Sequence, residues 1–108
     1  MKQHNNIANL VSSMHIHEFQ EMMRHLYFHR DSERGVEETY NWLADELEEL
    51  GEALKGDDKG ATEKEFADVI AWLASLANIT GIDLEKAAIN KYSGVCPKCQ
   101  KAPCQCTF

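Results

Sequence analysis

Cysteine is missing from the first 95 residues of this 108-residue chain, and proline from the first 96. No disulfide can therefore staple the main body, and no proline interrupts a helix there. Positive charge is scarce as well: 11 Lys and Arg stand against 18 Asp and Glu, for a net charge of −7. That balance excludes the broad basic face that a nucleic acid or an anionic membrane would need, and neither is expected as a partner. No apolar run approaches the roughly 18 residues of a membrane span. The opening "MKQHNNIANLVSS" has one lysine but neither the apolar centre nor the cleavage pattern of a secretory signal. Residues 1–13 are read as a mobile leader, with Met14 as an alternative start. With no export signal, a reducing cytoplasm is the expected compartment. Nothing alternates with period two, so no strand is expected.

What remains is helical. With 44% hydrophobic residues the chain is a folding one, and its length suits one domain plus a short appendage. In "HIHEFQEMMRHLYFHR", Ile16, Phe19, Met23, Leu26 and Tyr27 recur with helical spacing, and "DSERG" is expected to break the pattern. From Val36 to Lys55, Leu43, Leu47, Leu50 and Leu54 form a leucine seam suited to packing against a near-parallel neighbour. "KGDDKG" is a turn. A third helix is expected from about Thr62 to Thr80, stopped by Gly81. Between Phe66 and Ile79 its only charge is Asp68. A helix apolar on nearly all sides must be covered on all sides, so a homo-oligomer, a dimer or tetramer, is expected. Asp83 caps a fourth helix, "LEKAAINKY". The expectation is an all-α domain over 14–94, a four-helix, oligomeric bundle, followed by a Cys-rich tail over 95–108.

The acids are concentrated. Between Asp45 and Asp68 there are ten, against three lysines. Glu49 and Glu52 are three apart on the second helix, and Glu65 and Asp68 three apart on the third, so each pair projects to one side. Asp68 shares a face with Trp72, Leu76 and Ile79, a poor setting for an unpaired charge. A short turn makes the two helices antiparallel neighbours and can bring the pairs together. Four converging carboxylates repel unless a cation sits among them, and all-oxygen ligation with room for water favours Mg²⁺, with Mn²⁺ as a substitute. Two other readings stand beside this one. An acidic helix face is commonly just solvated, and Thr62-Glu63-Lys64-Glu65 is a good capping box.

"EELGE", twelve intervening residues, then "EFAD" resembles the E-E-x-x-E…E-x-x-D signature of the MazG-type nucleoside triphosphate pyrophosphohydrolases, the all-α NTP pyrophosphatases. The similarity extends from "RDSERG" through "WLADELEELGEALKG" and "ADVIAWLASLANITGIDLEKA" to "NKY". It implies that Glu49, Glu52, Glu65 and Asp68 bind Mg²⁺. It also implies that the substrate is a nucleoside triphosphate, cleaved between its α- and β-phosphates to the monophosphate and pyrophosphate, for nucleotide-pool cleansing. Water is then the nucleophile, and Glu48, adjoining the ligands, is the candidate base. Lys86 and Asn90, one turn apart, are similar to the family's phosphate-contacting pair, with Lys91 following; an exposed charge and a helix C-cap are their plainer readings. Trp42 and Trp72 are candidates to stack on a base, as aromatics do in relatives, or simply core residues. Arg30 and Arg34 are placed to meet a phosphate from the first loop or to form surface ion pairs. His25 and His29 have the spacing of a helical metal pair but no third ligand.

The tail "CPKCQKAPCQC" is a separate matter. Cys96 and Cys99 form a C-x-x-C knuckle, and Cys104 and Cys106 follow after four residues. Four thiolates in so short a span suit one structural Zn²⁺, with a disordered or redox-active tail as the alternative. The rival to an enzyme is a non-catalytic helical interaction module, with this knuckle as its docking surface and the acids as a solvated face.

Overall fold

A single glycine separates the first two long helices. The computed structural model describes residues 14–107 and contains, among them, four helices and no strand: α1 (Ile16–Arg34), α2 (Val36–Leu54), α3 (Lys59–Thr80) and α4 (Leu84–Lys91). The leader proposed for residues 1–13 lies outside the described residues. Gly35 joins α1 to α2 with φ 88° and ψ 170°, a conformation that favours glycine. "DSER" was expected to interrupt α1, yet the helix runs through it. Asp31 and Arg34 explain why: three apart, they pair across one turn with Arg34 Nη1 donating to Asp31 Oδ1 at 2.8 Å, and Asp31 is only 1% exposed. Polar residues that are paired on the helix no longer act as breakers.

The second correction concerns where α3 begins. Asp58 is its N-cap and accepts from the Ala61 N–H at 3.1 Å, so the helix starts at Lys59 and not near Thr62. Thr62 lies inside the helix, its hydroxyl donating to Ala53 O at 3.3 Å and Asp58 O at 3.2 Å. The capping box at Thr62–Glu65 is thereby overturned, and Glu65 is free of that duty. At the other end Gly81 stops the helix in the left-handed region (φ 72°, ψ 25°), while Ile82 N–H closes back on Ala77 O at 3.0 Å. Asp83 caps α4 by accepting from Lys86 N–H at 3.0 Å.

Helices α2 and α3 form the most extensive pairing, with α1 laid on α3 and α4 on α1. Thr62 meets Ala53 next to the turn, and Trp42 stacks on Trp72 far from it, so α2 and α3 run antiparallel. Gln20 ties three elements together. Its amide NH₂ donates to Asn78 Oδ1 at 3.0 Å and to Ile82 O at 2.7 Å, its Oε1 accepts from Leu84 N–H at 2.9 Å, and Asn78 Nδ2 donates back to Gln20 O at 3.2 Å. A buried polar pair satisfied to this degree specifies one docking of α1 on α3.

The apolar core is small: Met23, Leu43, Ala74 and Ala77 are its buried members. Of the leucine seam only Leu43 is buried, while Leu47 is exposed and Leu54 is 59% exposed. The seam is therefore split: Leu43 and the half-buried Leu50 lie on the inner side of α2 with Glu46 and Ala53, while Leu47 and Leu54 face outward. On α3 itself Phe66, Ile70 and Leu73 are exposed. No single helix among the described residues is long and apolar enough to cross a membrane.

Candidate active site

The antiparallel pairing brings Glu46 and Glu49 of α2 beside Glu65 of α3. One carboxylate oxygen from each lies within 4.8 Å of the other two. Asp68 follows one turn after Glu65, near enough that its charge acts on both Glu46 and Glu65. The Glu46 carboxyl is pushed above the ordinary glutamate value by burial first and then by the charges of Glu49 and Asp68. Glu65 is raised in the same way, by desolvation ahead of Glu49 and Asp68. Its side chain is only half-buried as a whole, but Oε2 is enclosed and has no hydrogen-bond partner. An orphaned acceptor amid like charges costs free energy, and a divalent cation among these oxygens would repay it. The donor set, all carboxylate, fits a hard cation of the Mg²⁺ class.

Of the four expected ligands, the structure places Glu49 and Glu65 in this group with Asp68 alongside. Glu52 is elsewhere: its carboxylate is 3.0 Å from Lys55 Nζ on the open surface. Glu46, not among the expected ligands, is the third member of the group. The pairs 46/49 and 49/52 have the same spacing, so spacing alone does not choose between them. Side-chain direction does: Glu52 turns outward to Lys55 on the open surface, whereas Glu46 is half-buried with its carboxylate toward Glu49 and Glu65. Glu48 is exposed and outside the group, as are His25 and His29. Asp68 is also exposed, at the edge of a cleft and not enclosed among apolar side chains; the enclosed oxygen belongs to Glu65.

That cleft, about 250 Å³, runs from Asp68 between α1 and α3. Arg30, Asp31 and Arg34 line it from α1, and Trp72 and Ser75 from α3. The Arg34 guanidinium sits 4.8 Å from the centre of the Trp72 ring, and Trp42 stacks on Trp72 with centroids 5.8 Å apart and planes 13° apart. Asp31 was missed by sequence reasoning. It is buried, gives Oδ1 to Arg34, and leaves Oδ2 enclosed without a partner in the cleft wall. Its only sequence signal is the Asp31–Arg34 spacing.

Lys86, Asn90 and Lys91 are exposed on α4 and do not line this cleft. The start of α4 packs against the start of α1, where His17 N–H donates to Glu85 Oε1 at 3.0 Å and His17 Nδ1 lies 3.4 Å from Asp83. The plainer reading of Asn90 as a C-cap does not hold, since α4 ends at Lys91 with Tyr92 as its cap. In the tail, the thiols of Cys96, Cys99, Cys104 and Cys106 gather within 4.8 Å of one another.

The family model described as MazG nucleotide pyrophosphohydrolase domain matches residues 34–100. The chain belongs to the MazG family. The match takes in all four carboxylates of the site, both tryptophans and α4, which confirms the resemblance in "EELGE" and "EFAD". At family level the chain is thus a nucleotide pyrophosphohydrolase, of a family that generally uses a divalent metal. Asp31, on α1, precedes the MazG match, and Cys104 and Cys106 follow it. No curated protein matches the chain.

Proposed function

We propose that this MazG protein is a Mg²⁺-dependent hydrolase of nucleoside or deoxynucleoside triphosphates, with the ion held by Glu46, Glu49, Glu65 and Asp68. The observation that carries this reading is Glu65 Oε2, enclosed without a partner beside other carboxylates, with the Glu65 carboxyl held above the ordinary glutamate value by burial and then by the charges of Glu49 and Asp68. Mn²⁺, equally suited to oxygen ligands, would substitute. When bound, the ion would offset the repulsion between an acidic site and an anionic substrate and would polarise the phosphoryl group under attack.

The chain's own residues supply the rest. Arg30 and Arg34 present positive charge along the cleft from Asp68. Arg34 keeps guanidinium donors beyond the one used on Asp31, and these suit phosphate oxygens. Trp72, backed by Trp42, offers an aromatic platform to a base. Asp31 Oδ2 is an acceptor waiting for a donor, which the base or sugar of a nucleotide provides. Water attacks the α-phosphorus, the α–β anhydride bond breaks, and pyrophosphate leaves with the bonding pair. The water's proton passes to a carboxylate. Glu48, exposed outside the group, is less well placed for that role than the clustered acids.

Exposed Leu47, Leu54, Phe66, Ile70 and Leu73 support a homodimer or homotetramer that covers them. Lys86, Asn90 and Lys91 take part in phosphate binding only where assembly brings α4 of another copy to the cleft. Nucleotide-pool cleansing in the cytoplasm is the role that fits such a substrate. The test is to incubate a panel of triphosphates with the protein and Mg²⁺ and resolve the products. Monophosphate and pyrophosphate are expected; no turnover of any member would remove the reading.

A further inference from the structure

We propose that Cys96, Cys99, Cys104 and Cys106 bind one Zn²⁺ in a tetrahedral all-thiolate site that folds the C-terminal tail as a unit separate from the hydrolytic centre. The tail contains no helix or strand among its described residues, and too few side chains are enclosed there to make a core. Yet all four sulfurs converge within 4.8 Å. Something other than apolar burial has to hold them.

The spacing of the sulfurs suggests what. Cys96 Sγ and Cys106 Sγ are 3.7 Å apart, far beyond the roughly 2.05 Å of a disulfide. Zinc–sulfur bonds of about 2.3 Å at the tetrahedral angle put neighbouring sulfurs about 3.8 Å apart. The pair that joins the two half-sites is already at that distance.

The backbone is arranged to suit. Gln100 N–H donates to Cys96 O at 2.7 Å, and Cys96 N–H donates to Lys101 O at 3.0 Å, which closes the C-x-x-C loop into a tight knuckle. Closing it requires a left-handed residue directly after the second cysteine, and Gln100 takes φ 60° although it is not glycine. A non-glycine residue held there marks a loop fixed by its surroundings. Main-chain donors then point at sulfur: Gln105 N–H to Cys99 Sγ and Cys106 N–H to Cys104 Sγ, each at 3.3 Å. Such N–H groups stabilise thiolates and orient metal ligands. Soft sulfur donors exclude Mg²⁺, so this site does not compete with the carboxylates for their ion.

The test uses the full-length protein, purified without added metal and without chelator. Elemental analysis should find about one zinc per chain. Cys96→Ser and Cys104→Ser, one from each half-site, should each lose it, while triphosphate hydrolysis and the response to Mg²⁺ stay within about twofold of wild type. Replacing the zinc with Co²⁺ should give the intense visible bands of a tetrahedral thiolate site, and bound metal should slow tryptic cleavage after Lys98 and Lys101. Stoichiometric zinc retained in both variants would place the metal elsewhere and overturn the proposal. So would iron in place of zinc, Co²⁺ bands of an octahedral oxygen site, or a Cys96–Cys106 disulfide in protein kept under thiol reductant.

Discussion

Thr62 donates its hydroxyl to the carbonyl of Ala53 across the turn between α2 and α3, at 3.3 Å. This bond marks the register of the two helices and sets the acids of α2 alongside those of α3. At that register the carboxylates of Glu46 and Glu49 turn toward Glu65, while Glu52 turns outward to Lys55.

Glu46→Gln and Glu52→Gln are therefore expected to behave oppositely. Glu52→Gln removes half of an exposed ion pair, worth about 0.5 kcal/mol of stability at most, and should leave hydrolysis and the Mg²⁺-induced rise in Tm intact. Glu46→Gln should melt no lower than wild type without metal, since repulsion is relieved, but lose the Mg²⁺ response and at least about 100-fold in kcat/KM. Melting curves and steady-state rates on both variants check this. The reverse pattern would return Glu52 to the site.

Metal-free protein should also show the strain of the cluster in its pH dependence. Glu46 and Glu65 are both raised above the ordinary glutamate value, so in the window between the two values the folded state binds more protons than the unfolded one. Stability then falls as pH rises through that window. Asp83, held below the ordinary aspartate range chiefly by the Lys86 N–H, acts the other way and at lower pH, so the two effects separate. Thermal melts in chelator from pH 4.5 to 7.5 should show Tm declining as pH rises above the ordinary glutamate value and levelling once both groups are ionised, and Mg²⁺ should remove most of the decline. A flat metal-free profile would contradict the clustering.

Much of this architecture was legible in the sequence. Leucine periodicity, Asp83 as a cap and Gly81 as a stop each act within a few residues, and local signals of that kind survive folding. What was not legible depended on contacts between helices. α1 continues through "DSER" because the buried Asp31 is paired with Arg34, which in turn donates to Thr39 of α2, a fact of tertiary packing. Asp58 rather than Thr62 caps α3, which leaves Glu65 free of any capping role, and whether Glu46 or Glu52 turns toward it is a matter of side-chain packing that spacing does not encode. Gln20 and Asn78 gave no signal at all, since each reads as an ordinary surface amide until the other is placed.

Asp31→Asn tests the cleft as a nucleotide site. Asparagine keeps an oxygen for Arg34 but loses the charge, so stability should fall by about 1–3 kcal/mol. If Oδ2 accepts from the substrate, KM should rise about tenfold or more while kcat changes little, and the rise should be confined to nucleotides that carry the matching donor. An equal change for every nucleotide, or a fall in kcat alone, would make Asp31 a purely structural partner of Arg34.

Assembly should follow from the uncovered face of α3. Sedimentation at micromolar concentration should find a dimer or larger, and Ile70→Glu, a charge placed on an exposed apolar position, should shift it toward monomer. A folded wild-type monomer would contradict the proposed interface.

The most direct measurement follows one oxygen atom. Turnover of a triphosphate with Mg²⁺ in ¹⁸O-labelled water, followed by ³¹P NMR and mass analysis, reports both the bond broken and the phosphorus attacked. Attack at the α-phosphorus predicts label in the nucleoside monophosphate, unlabelled pyrophosphate, and no reaction when Glu65→Gln replaces the wild type. Nucleoside diphosphate with labelled orthophosphate, or undiminished turnover by Glu65→Gln, would contradict the account.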